Sequence, residues 1–309
     1  MIIRICCQIP KDKHHLLDGV LKHLIALYCV DSKRYLEQVI VVPDDCIEQE
    51  VNLILQETGG GATKYAAGPH QTKAVAIPVE SYSALRCFIV LGQSLVEQIE
   101  PEQVPYEVMS SLLEELLHVN FYAVVWQYYG RLCPPSASFS QQALLKIAAF
   151  LIDEYMVERS KALIMSDMYY VADDKGYSAP LRLWYGGDLI ALLEKAPFKL
   201  REAFLIRKKT SSAEDACCAL LAATNRYVFE PLTRDAAFRA AHSDSDEECP
   251  TPTANQSRFY REHVSIHWHL IQSELEAVYD TNWGQREQAL NCITGSLKAF
   301  LEDIESGLQ

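Results

Sequence analysis

The feature that most constrains this chain is the stretch from Val104 to Tyr129. It has the length and pattern of one long helix, apolar on nearly every side, yet it carries three ionisable groups within a single turn. Leu112, Leu113, Leu116, Leu117, Val119, Phe121, Val124, Val125 and Trp126 leave no broad polar face, so the helix is expected to be buried nearly all round. Within it, Glu114 and His118 lie about 40° apart around the axis, and Glu115 and His118 about 60° apart. Charged groups in such surroundings cost several kcal/mol unless they are paired or bind a metal. The fold must therefore bring a compensating charge to this stripe.

A second helix, from Ser140 to about Ser166 with Ser140 as its expected N-cap, repeats the pattern. Ala143 to Ile152 is apolar apart from Lys146, and Asp153, Glu154 and Glu158 follow directly. Gly130 and Pro134-Pro135 separate the two helices. An antiparallel pairing through that short connection is expected to bring Glu154 within about one turn of His118.

The chain before these helices reads differently. Ile2–Ile9 and Leu36–Val42 (LEQVIVV) read as strands, the second stopped by Pro43. His14–Val30 keeps helical spacing, and Asp44 or Asp45 is the expected N-cap of a helix through Gln56. Lys73–Val79 and Ala84–Leu91 are β-rich and read as a hairpin. Beyond Ser166 the pattern is irregular around Gly176, Pro180, Gly186-Gly187 and Pro197. Helices then follow at Ser211–Tyr227, Arg258–Tyr279 and Gln285–Glu305. The expected class is α+β: a small antiparallel or mixed sheet with a hairpin packed on long helices, plus a helical C-terminal region. With 309 residues there is room for two domains. They are expected at 1–210 and 211–309, the second holding an acidic Ser/Pro-rich loop at 242–257.

The order of a hairpin, a helix with Glu114-Glu115-Leu-Leu-His118, then a helix with Asp153-Glu154-Tyr-Met-Val-Glu158-Arg159 resembles the core of the zincin metallopeptidases, in particular the small gluzincin-like proteins. In that family an HExxH helix supplies two zinc ligands and a general base, and the next helix supplies a further carboxylate. The resemblance covers roughly Lys73 to Met165. It implies Glu115 as general base, His118 and Glu154 as zinc ligands, Asp153 or Glu158 as substitutes for Glu154, and a protein strand cut along the hairpin edge. The sequence departs from the family at Glu114, which stands where the first histidine would be. A carboxylate can bind zinc, so Glu114 remains a candidate ligand, but its negative charge weakens the metal as a Lewis acid. The expected function is an intracellular metal-dependent peptidase, or peptidase-like protein, acting on a dedicated protein partner. The alternative is a non-catalytic interaction scaffold in which these acids pair with nearby groups such as Arg131, Arg159, Tyr122 and Tyr155.

Other features narrow the field. Lys and Arg number 28 against 41 Asp and Glu, a net charge of −13 with no long basic block, which argues against nucleic acid as a ligand. No apolar run approaches the ~20 residues of a membrane span. Ten cysteines without a CxxC pair read as a reducing cytoplasm, and self-association is open. His263, His267 and His269 cluster without acids or cysteines to complete a metal site in sequence. Gly59-Gly60-Gly61 lacks the lysine of a phosphate-binding loop and reads as a turn.

Overall fold

The computed structural model describes residues 1–58, 73–81, 84–102, 104–132, 138–168, 186–209, 213–241 and 253–307. The Gly59–Gly61 turn, the hairpin tip at 82–83, most of the connection after Gly130, and positions 242–252 of the acidic loop lie outside these residues. The class is α+β, a small four-stranded mixed sheet among many helices. Among the described residues no helix is long and apolar enough to cross a membrane.

The described residues form two compact units, Met1–Trp126 and Gln127–Gln309. The first is built on strands β1 (Ile2–Ile5), β2 (Leu36–Val42), β3 (Ala74–Ser81) and β4 (Ala84–Gly92), in the order β1-β2-β4-β3. β1, β2 and β4 run parallel, and β3 returns antiparallel on β4 as the hairpin. The second half of β2 is an unbroken apolar run because the strand is central: Val39, Ile40, Val41 and Val42 are all buried. Helix α1 (Lys11–Leu27) joins β1 to β2 and buries Leu17, Leu21 and Leu24, while Val51 and Ile54 of α3 (Ile47–Glu57) pack with Ile40, Ile77, Phe88 and Val90. Between these helices lies the short α2 (Ser32–Tyr35), and α4 (Gln93–Glu97) follows β4.

Asp44 does not cap α3 as the sequence suggests. Its carboxylate accepts the backbone N–H of Ser94 at 3.0 Å, in the first turn of α4. Cys46 precedes α3 without a side-chain cap. Gly92 is needed beside this contact, because a Cβ there would collide with the Asp44 carboxylate and press on Ile47. Helix α5 (Tyr106–Leu132) contributes Leu112, Leu113, Leu116, Leu117 and Val119 to the core of the first unit. The Ser32 hydroxyl donates to the Leu116 carbonyl at 2.8 Å and helps to hold it.

The second unit is helical. Its axis is α6 (Phe139–Met168), buried around most of its circumference between Leu144 and Met165. Against it pack α9 (Glu230–Ala241) and α11 (Arg286–Gly307), while α7 (Gly186–Lys209) packs on α8 (Ala213–Thr224) and α10 (Ser265–Asp280) packs on α11. These contacts group the helices from Phe139 onward with the C-terminal ones, whereas the sequence expectation divided the chain at 210/211. The cap of α6 is Ser138, not Ser140: Gln141 N–H donates to Ser138 Oγ at 3.3 Å, and Gln141 Oε1 accepts Ser138 N–H at 3.1 Å, a reciprocal capping box.

Two helices were hidden in the sequence. α7 runs through Pro197 and buries Leu189, Leu193, Ala196, Leu200 and Ala203 along one stripe. α9 continues α8 through a π-helical turn at Asn225–Phe229. A second π-helical turn, Tyr260–Val264, leads into α10.

Candidate functional site

Glu115 and His118 sit on α5 and are nearly buried, each 8% exposed; Glu114 beside them is half-buried. The Glu115 carboxylate accepts the backbone N–H of Ala76 on β3. The ladder explains why that amide needs a partner. Gly92 N–H donates to the Lys73 carbonyl at 2.8 Å, so Lys73 and Gly92 face each other as a hydrogen-bonded pair. Alternation then turns the backbone groups of Ala74, Ala76 and Pro78 away from β4, toward the open side of an edge strand. Pro78 has no N–H to expose there. Ala76 has one, and Glu115 takes it. The His118 ring stacks on Tyr122 with centroids 5.7 Å apart.

In the second unit, Asp153, Glu154 and Glu158 are 2%, 1% and 2% exposed on α6. Carboxylate oxygens of Glu154 and Glu158 lie within 4.8 Å of each other, a spacing at which two acids can share a cation. Protein cations are at hand. Arg234 of α9 places Nε 2.5 Å from Glu154 and Nη1 3.6 Å from Glu158, and its Nη2 is 3.6 Å from Glu230. Lys161, one turn beyond Glu158, lies 2.8 Å from it and is itself buried. One guanidinium and one ammonium thus neutralise this acid pair.

Of the counter-groups expected from sequence, Tyr122 meets His118, while Arg159 and Tyr155 engage each other. Arg159 donates to the Tyr155 hydroxyl at 3.3 Å, covers the Tyr279 ring at 3.9 Å and lies 3.5 Å from Asp280. Tyr155 is fully buried, and burial pushes its hydroxyl up to about 12. The Arg131 side chain lies outside the described residues. Arg234 and Lys161 were the missed residues. Lys161 had a signal, its three-residue spacing from Glu158; Arg234 comes from a distant helix and had none. Nor did the backbone amide that meets Glu115.

The three C-terminal histidines part company. His263 is exposed in the π-helical turn and tilts against Phe259 at 5.5 Å. His267 is buried, with Nε2 2.8 Å from Asp303 on α11. His269 is exposed.

No known protein family, no curated protein and no solved structure matches this chain.

Proposed function

We propose that this chain is a non-catalytic protein-interaction body in which the buried acids are structural. The observation that carries this reading is Arg234, seated against both Glu154 and Glu158, with Lys161 on the other side of Glu158. Zinc suits this donor set less well than the protein's own cations do, because a dication would have to displace or repel a guanidinium already 2.5 Å from the acid. The hold of Glu115 on Ala76 supports the same reading. A general base needs its carboxylate free for water, and a substrate strand adding to the hairpin edge would compete with Glu115 for that amide. Exposed apolar side chains supply binding surface: Phe198 and Leu205 on α7, Ile266 and Leu270 on α10. The partner is another protein or a second copy of the chain. Eight described cysteines, all free, suit a reducing compartment.

The test is metal analysis of the purified protein after zinc addition and dialysis. The proposal expects no stoichiometric zinc. Bound zinc that is lost on His118→Ala would overturn it.

A second reading, a zinc-dependent peptidase acting on a dedicated protein, rests on two buried groups one turn apart, Glu115 and His118, on the same helix. It requires zinc at His118, with Glu154 and Glu114 as further ligands. It also requires cleavage of a partner that Glu115→Gln abolishes without unfolding the protein.

A further inference from the structure

A cavity of about 340 Å³ lies wholly within the second unit, apart from the buried acids of α6. That volume falls at the small end of ligand sites, which span roughly 300–1,000 Å³. Its walls come from three places. Glu194 and Pro197 belong to α7, Ile304 and Gly307 to the end of α11, and Ser257 to His263 to the approach of α10. Two irregularities shape it: the proline inside α7, and the π-helical turn Tyr260–Val264, a form of helix that recurs at functional sites.

The polar groups around it are unequally satisfied. Arg258 Nε lies 2.7 Å from Glu262, so these two charges cancel. The Ser257 hydroxyl accepts the Tyr260 N–H at 3.3 Å. Arg261, next to the cavity, is turned to the Asn255 and Gln256 carbonyls. Among the described residues Glu194 has no hydrogen bond or ion pair. It faces solvent and is the one carboxylate on the lining without a protein partner among the described residues. The same lining holds the Phe259 ring, with the His263 imidazole tilted against it at 5.5 Å, and the apolar Pro197 and Ile304.

We propose that this cavity binds a small organic monocation, an ammonium carried on an aryl or alkyl body. The ammonium meets the Glu194 carboxylate, and the faces of Phe259 and His263 favour the cation over a neutral molecule of the same shape. The body lies on Pro197 and Ile304. The excess of negative charge on the whole chain, −13, favours a cation over an anion in the same place. The site stands independently of the interaction role proposed above.

The experiment is isothermal titration calorimetry of the full chain with benzylamine, beside benzyl alcohol and benzoate as neutral and anionic counterparts of the same size. Benzylamine is expected to bind saturably with one site, about tenfold or more tighter than either counterpart. Glu194→Gln, a change at an exposed helix position that leaves the fold intact, is expected to remove that preference, and Phe259→Leu to weaken it. Absence of saturable benzylamine binding overturns the proposal. So does equal binding of benzyl alcohol, or benzylamine affinity unchanged in Glu194→Gln.

Discussion

Arg234 and Glu154 form a close ion pair in the buried acid stripe, with Nε 2.5 Å from the carboxylate on a residue only 1% exposed. Removing one partner of a buried pair leaves the other charge stranded, which costs about 3–5 kcal/mol when both are fully buried. The Arg234 side chain is 29% exposed, so solvent screens part of that loss. Arg234→Ala is expected to lower unfolding free energy by about 2–3 kcal/mol in urea denaturation. A change within ~0.5 kcal/mol would show that this pair does not hold α6 to α9.

Glu115 gives a sharper test because its carboxylate accepts a backbone amide that a single variant can strand. Glu115→Ala leaves the Ala76 N–H without its acceptor and is expected to cost about 1–3 kcal/mol, whereas Glu115→Gln keeps a carbonyl oxygen in place and should cost less. Amide hydrogen exchange read by NMR should show Ala76 losing protection in the alanine variant and keeping most of it in the glutamine variant. Equal protection in all three proteins would remove Glu115 as the partner of the strand.

At Gly92 the Asp44 carboxylate approaches so closely that a Cβ fits only if Asp44 moves aside. Gly92→Ala must push the Asp44 carboxylate off the Ser94 N–H and crowd Ile47. The expected loss is about 1 kcal/mol, the usual worth of a helix N-terminal contact. Asp44→Ala should lose a similar amount, and the double variant little more than either, since both break the same bond. Additive losses in thermal unfolding would separate the two residues.

Burial raises the Asp235 carboxyl above the ordinary aspartate value, while the hydrogen bond and charge of Arg239 work in the other direction. The folded protein therefore holds this proton more tightly than the unfolded chain does. The resulting contribution favours the fold below the unfolded value and is lost as pH rises through the folded one. Asp235→Asn has no proton to lose, so its stability relative to wild type should rise as pH climbs from about 3 toward 7. Urea titrations across that range give the comparison, and a constant difference would refute the assignment.

Cys29 is fully buried, and burial pushes its thiol up to about 12. Thiolate is the reacting form, so at neutral pH this residue should resist alkylation in the native protein, while exposed Cys6, Cys218 and Cys292 are modified. Mass spectrometry after iodoacetamide treatment, with and without denaturant, reads the pattern. Native labelling of Cys29 at the rate of Cys218 would place it in a different environment.

Strong local patterns carried most of the fold. Val39–Val42 is an unbroken apolar run because that part of β2 is buried on both faces, and the hairpin was readable from its two β-rich runs. The buried character of α5 and α6 followed from apolar residues on all sides. The failures came where tertiary contacts decide. α7 was hidden because Pro197 and Gly186-Gly187 read as breakers, yet the stripe from Leu189 to Ala203 fixes the helix in spite of them. Asp44 caps a helix far along the chain and not the adjacent one, and Ser138 rather than Ser140 caps α6, because a capping box needs Gln141 three residues on. For the candidate site, the sequence picked out Glu115, His118, Glu154 and Glu158 as buried. It had no means of naming Arg234 or the Ala76 amide, which reach them only through the fold.

The pairing of a proline with a carboxylate-tied amide on β3 reaches beyond any question of ligands. An edge strand with two consecutive outward positions closed to pairing, one by proline and one by a carboxylate, is a poorer template for another chain, so this side of the sheet resists growth into fibrils. Any tendency of the protein to self-assemble through strands falls instead on the opposite margin, Ile2–Ile5, where Ile2 stands exposed.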